Sequence, residues 1–233
     1  MKWNKLSLPI LTVFLIIINI WVIIEYSKEV SDYMRFADML IYFLYLIFTK
    51  EYTKRFLALF GLLSICDGFI IFYNIPIFNL LTFVMRIIIY LFLFSLVFKK
   101  LKNLKVEWSQ LGVFGVILSI NIFLLFALVE MVPDEYDYNA FKALFYLYGI
   151  ATILIVSAAI SYSNRYENKI SLYFIAAVLG LIFSDLTYFV AFYLKFEEFY
   201  IPERIFNILA IAFLVQYVTS SNQSCSLKSS MSF

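Results

Sequence analysis

Three charged residues stand deep inside apolar stretches of this 233-residue chain: Asp67, Arg86 and Asp185. Asp185 lies in LIFSDLTYF (181–189), and no other charged residue occurs between Ile170 and Leu194. A charge at mid-bilayer costs about 2.5–3.5 kcal/mol on insertion scales, so such residues face a partner or a cavity. Two carboxylates that share a low-dielectric pocket supply a general acid and a general base, because like charges at close quarters do not both ionise. Asp67 and Asp185 are therefore the candidate catalytic pair. The alternative is a structural ion pair, with Asp67 or Asp185 neutralising Arg86 inside the bundle.

The rest of the composition narrows the chemistry. The chain has no histidine, which excludes histidine-ligated zinc or haem and Ser-His hydrolysis. Nothing in the pattern asks for a metal or another cofactor. The two cysteines, Cys66 and Cys225, lie in an apolar segment and a Ser-rich tail and give no disulfide framework. A net charge of +2 makes no case for nucleic acid.

The elements that must hold these residues are read from hydropathy. Hydrophobic residues make up 64% of the chain and charged residues 15%, which places it among integral membrane proteins. Apolar runs fall at 6–24, 33–49, 56–73, 77–98, 111–129, 140–162, 170–194 and 202–219. Runs of this length cross a hydrocarbon core of roughly 30 Å only as helices. The expectation is an all-α bundle of about eight transmembrane helices, a single domain over 1–219, followed by a disordered tail over 220–233 with seven serines. The first run leaves through EYSKEV without a small-residue cleavage site and reads as a retained helix.

Orientation follows from the loops. Lys50, Lys54 and Arg55, the run Lys99–Lys105, and Arg165 with Lys169 all fall on the side of the N-terminus. The other side carries Lys28, Arg35, Lys195 and Arg204, together with the acidic EMVPDEYD (Glu130–Asp137) and Glu197, Glu198 and Glu203. The positive-inside rule then sets both termini in the cytoplasm. Asp67 and Asp185 come eleven and fifteen residues into parallel helices, which at 1.5 Å per residue puts both in the outer half of the membrane. Arg86 falls near the middle and Asp38 nearer the outer end of the second run. Asn79, Asn121 and Asn207 bring further polar groups to outer or middle depths, and this layer suggests a cavity opening outward.

Two local patterns bear on packing. Ala177, Gly180, Ser184, Thr187 and Ala191 form a stripe of small residues, and Gly61, Ser64 and Gly68 repeat it on the third run; such stripes let helices approach closely. IFNLL (Ile77–Leu81) and IFNIL (Ile205–Leu209) open the fourth and eighth runs, each after an Ile-Pro and an Asp-bearing helix. That suggests a parallel repeat of four helices plus four. Most of the 18 tyrosines read as interfacial anchors.

The layout resembles the YhhN/TMEM86 family. The resemblance covers most of the chain in arrangement and rests on two short motifs. The family's Phe-x-x-Ser-Asp after a glycine stands here as Gly180-Leu181-Ile182-Phe183-Ser184-Asp185. Its Ser-x-x-Gly-Asp stands as Ser64-Ile65-Cys66-Asp67, with cysteine in place of glycine and the serine one residue closer. The resemblance implies a lysoplasmalogenase-like hydrolase that opens the vinyl ether of a lysophospholipid, with Asp67 and Asp185 as acid and base. Arg86, Ser184, Asn79, Asn207 and Tyr188 are the candidate substrate contacts; a phosphate is a natural partner for Arg86, although its depth argues against one. A bacterial plasma membrane suits the short loops. The competing reading is a non-enzymatic lipid-binding or small transport protein with structural or proton-relay aspartates. An intramembrane aspartyl protease would need Tyr-Asp, Gly-x-Gly-Asp and Pro-Ala-Leu motifs, none of which occurs.

Overall fold

The structure is a computed structural model and describes residues 7–50, 52–101 and 139–230, with scattered positions between 115 and 131. The fifth apolar run lies mostly outside these residues, as do Asn121, the basic run beyond Leu101 and most of Glu130–Asp137. Among the described residues there are seven α-helices and no strand: α1 (Ser7–Glu25), α2 (Lys28–Thr49), α3 (Lys54–Ile70), α4 (Pro76–Phe98), α5 (Asn139–Tyr166), α6 (Lys169–Tyr193) and α7 (Tyr200–Ser230). A 3₁₀ turn, Glu197–Phe199, leads into α7. The backbone of α7 stays helical to Ser230, into the Ser-rich stretch whose composition suggests disorder.

Five of the helices, α1, α4, α5, α6 and α7, are long and apolar enough to cross a membrane. The other two fall short for different reasons. α3 has 17 residues, about 26 Å at 1.5 Å per residue, against a core of roughly 30 Å. α2 has 22 residues, but Lys28, Glu29, Asp32, Arg35 and Asp38 occupy its first half.

Local signals set the helix ends. Pro76 starts α4 at a first-turn position where its missing N–H costs nothing. α6 begins with a capping box: Asn168 accepts from the Ser171 amide at 2.8 Å, and the Ser171 hydroxyl faces back to the Asn168 amide at 3.3 Å. Inside the helices, Thr12 and Asn19 turn their side chains onto the carbonyls of Leu8 and Leu15, both at 2.8 Å. That keeps part of each polar group satisfied away from water.

α6 and α7 form the most extensive helix pair. A Cβ added at Gly180 would lie 2.9 Å from Cβ of Ala210 and 3.2 Å from its Cα, so the glycine permits the close approach that the small-residue stripe suggests. The corresponding expectation for α3 fails. Gly61 faces open space and Gly68 meets only the ring of Phe36 at 3.6 Å, so these glycines hold no tight seam.

The buried apolar residues form two clusters. On α3 the larger cluster ends at Cys66 and the second begins at Ile70; Asp67 lies between them. On α4 Arg86 lies between Phe83 of the second cluster and Ile89 of the first. On α6 Ser184 and Asp185 lie between Leu181 of the first and Tyr188 of the second. One polar layer therefore separates two apolar cores.

Candidate functional site

The polar layer is a chain of paired charges contributed by five helices. Arg35, on α2, reaches Asp67 on α3, its Nε donating to Oδ1 at 3.2 Å. Its Nη1 donates to Oε1 of Glu203 on α7, an oxygen that also accepts from Ser184 Oγ on α6 at 3.1 Å. Arg86 on α4 lies between the two aspartates, its Nη2 3.2 Å from Asp185 Oδ1 and 3.7 Å from Asp67 Oδ1. Neither contact has hydrogen-bonding geometry, and both terminal nitrogens of Arg86 lack a hydrogen-bond partner. Arg204 completes the layer, its Nη2 donating to the carbonyl and hydroxyl of Ser31 at 2.9 and 2.8 Å, with Nε 3.8 Å from Glu203 Oε2.

Burial is nearly complete. Arg35 is 1% exposed, Glu203 0% and Asp67 2%. Three guanidinium groups thus face three carboxylates within the protein, which avoids the cost of an unpaired buried charge. Asp38, also fully buried, is a further carboxylate beside Asn19 and Arg204, and neither of its oxygens completes a hydrogen bond.

Arg35, Glu203 and Arg204, which the sequence reading counts among the charges flanking the membrane runs on the outer side, are buried inside the bundle. They lie on the inward faces of α2 and α7. On α2 the buried residues are Ser31, Asp32, Arg35, Asp38, Met39, Tyr42 and Leu46, so the charged positions share the helical phase of the apolar ones. That phase was the available signal, and hydropathy averaging hides it because it cannot tell an inward charge from a loop charge.

Against this layer lies a cavity of about 180 Å³. Its walls are mainly apolar and aromatic, including Ile70, Phe83, Phe145, Ile153, Ile182 and Phe189, and its polar side is formed by Arg35, Arg86, Asp185, Tyr148 and Tyr188. Among the described residues Asp185 is the only carboxylate in the lining, and its side chain keeps 13% exposure. Its Oδ2 accepts from Tyr90 at 2.5 Å and from Tyr148 at 2.9 Å. Tyr90 and Tyr148, unremarked in the sequence, are the nearest hydroxyl donors to this carboxylate.

The sequence candidates therefore separate. Asp185, Arg86 and Tyr188 line the cavity, and the Tyr188 hydroxyl has no partner. Asp67 touches Arg35 and Arg86 from behind the wall. Ser184 binds Glu203. Asn79 is fully buried and exchanges hydrogen bonds with Tyr193, at 2.8 and 3.0 Å, outside the lining. Asn207 is buried with its Nδ2 unpartnered, and it too is absent from the lining. Tyr73 and Tyr193 are also cavity walls, linked to each other at 3.2 Å.

Long apolar helices closed around a layer of paired charges define a multi-pass helical membrane protein. No protein-family model matches the chain, and no curated protein or solved structure matches it.

Proposed function

We propose that this protein is a membrane-embedded hydrolase of lipid vinyl ether bonds, similar to the lysoplasmalogenases of the YhhN/TMEM86 family and acting on a lysophospholipid. One observation carries the reading: among the described residues a single carboxylate, Asp185, lines an apolar cavity, and two tyrosine hydroxyls hold it there. The aliphatic chain lies along the aromatic walls, and the vinyl ether comes to the polar side. A proton on Asp185 passes to the β-carbon of the vinyl ether, and the carboxylate left behind stabilises the oxocarbenium ion. Water adds to the α-carbon and returns a proton to Asp185. The hemiacetal collapses as its C–O bond to the glyceryl oxygen breaks and its hydroxyl proton passes to that oxygen, releasing a fatty aldehyde and a glycerophospho-alcohol. No cofactor is needed for this sequence of steps.

The geometry supports unequal roles for the two aspartates. Asp185 touches substrate, whereas Asp67 acts as a positioning residue that holds Arg86 and Arg35. Arg86 and Tyr188 face the substrate; Ser184, Asn79 and Asn207 act behind the wall. Eight spans with both termini in the cytoplasm, a parallel four-plus-four repeat and a bacterial plasma membrane complete the proposed arrangement.

A second reading has its own support. Both aspartates lie within 3.7 Å of Arg86, as a purely structural ion cluster in a lipid-binding or small transport protein would place them. Aldehyde release from a lysoplasmalogen by purified protein in vesicles separates the two. The hydrolase reading expects release from the wild type, loss with Asp185→Asn and a smaller fall with Asp67→Asn. Folded wild-type protein that yields no aldehyde above background sinks it.

A further inference from the structure

The cavity is too small for the whole of a long lipid chain. Its volume of about 180 Å³ is slightly larger than the engineered cavity of about 150 Å³ that admits benzene. It therefore encloses one segment of one chain, and the remaining methylenes must pass out through an opening. Burial shows where that opening is. The lining residues contributed by α2, α3, α4 and the turn after α3 are all buried: Arg35, Ile70, Tyr73, Thr82, Phe83 and Arg86. Among the described residues, exposure in the lining is confined to α5 and α6, at Tyr148, Thr152, Ile153, Ile182, Asp185 and Leu186. Leu186 is the most open of these, at 39%.

The surroundings of this mouth suit hydrocarbon. Both α5 and α6 are long and apolar enough to cross a membrane. Next to the mouth residues in sequence, Leu147, Leu154 and Phe183 are exposed apolar side chains, as a face turned to lipid requires. Leu186 and Ile182 lie seven and eleven residues before the end of α6 at Tyr193. At 1.5 Å per residue that is about 10 and 16 Å from the helix end, within a hydrocarbon core of roughly 30 Å. From these observations we infer that the cavity is entered sideways from the bilayer, by one hydrocarbon chain of a lipid, through a portal between α5 and α6. Asp185 stands at the threshold, since it belongs both to the lining and to the exposed set. A group carried on the chain at that point reaches the carboxylate without leaving the membrane. Because only a segment is enclosed, the site senses the carbons beside that point and not the total length of the chain. The inference rests on the reading of the cavity as a lipid site and adds its entrance, but it requires no turnover.

The test is photolabelling of the full chain in phosphatidylcholine vesicles. The probe is a lysophosphatidylcholine analogue whose single chain is a saturated ether and carries a diazirine. Having no vinyl ether, it binds without turnover, and crosslinks are mapped by peptide mass spectrometry. The expected result is labelling of Ile70 and Phe83, on the buried walls, together with Leu186 at the mouth. Ile153→Trp and Leu186→Trp each add bulk to one side of the portal and should lower labelling of Ile70 and Phe83 several-fold. Labelling of Leu147 and Leu154, on the outer face of α5, should stay unchanged and shows that the variants are folded. Leu186→Ala takes bulk away from an exposed position and should raise labelling of the buried walls. Labelling confined to the outer faces overturns the inference. So do a mouth at Leu186 that the probe never reaches, wall labelling that both Trp variants leave unchanged, and a fall with Leu186→Ala. Labelled walls that respond to the portal variants, without aldehyde release from a lysoplasmalogen, refute the hydrolase reading and leave the portal standing. Aldehyde release with walls that stay unlabelled does the reverse.

Discussion

Removing Arg35 tests whether the charges near the ends of α2 and α7 belong to the buried layer or to outer loops. Arg35 is 1% exposed and bonds two carboxylates, Asp67 and Glu203, which are themselves 2% and 0% exposed. Arg35→Gln therefore takes the hydrogen-bonding cation from two buried anions, leaving Asp67 with Arg86 at 3.7 Å and Glu203 with Arg204 at 3.8 Å and the Ser184 hydroxyl. Breaking a buried pair by deleting one partner costs about 3–5 kcal/mol, a large share of the roughly 5–15 kcal/mol that holds a domain folded. Glu203→Gln belongs to the same range, because it removes the negative charge that Arg35 and Arg204 face. In the double variant the stranded charges are fewer, so its cost should fall short of the sum of the two single costs by about 0.5–3 kcal/mol, the usual coupling between contacting residues. Equilibrium unfolding in mixed micelles, followed by circular dichroism, measures all three variants. A surface charge changes stability by about 0.5 kcal/mol or less. If Arg35→Gln costs no more than that, or if the two substitutions are strictly additive, the buried layer described here is wrong.

Two further outcomes follow from local geometry. Gly180→Val should destabilise the α6–α7 pair by about 1–3 kcal/mol through overpacking, since even a Cβ there lies 2.9 Å from Ala210; Gly61→Ala, facing open space, should be neutral or stabilising by about 0.5–1 kcal/mol. Thermal unfolding of both variants checks the contrast, and equal losses would contradict it. Tyr148→Phe removes one of the two donors to Asp185 Oδ2 and should slow aldehyde release about ten- to a hundredfold, the worth of a hydrogen bond to a charged group, with the melting temperature changed little; an unchanged rate separates Tyr148 from the chemistry.

Asp67, Arg86 and Asp185 were legible in the sequence because each interrupts an apolar run, and an isolated charge in hydrocarbon demands a partner. Their grouping about Arg86 was legible as the alternative of an ion pair inside the bundle, but their division around the cavity was not. Depth along parallel helices placed the two aspartates at one level, but only side-chain geometry separates Asp185, on the cavity, from Asp67, behind it. Arg35 and Glu203 were lost for the opposite reason: each lies near other charges and close to a helix end, where hydropathy reads a boundary. Tyr90 and Tyr148 were lost among 18 tyrosines, since periodicity does not say which hydroxyl meets a carboxylate.

By itself the sequence determined the class of the protein: long apolar runs can satisfy their backbone in a membrane only as helices, and the small-residue stripe around Gly180 marked a close helix contact in advance. The tertiary structure alone decided which charges are neutralised and by whom. Ion pairing and cavity shape depend on the rotation and offset of helices far apart in the chain, as Arg35 with Glu203 shows. No local pattern of residues encodes those two quantities.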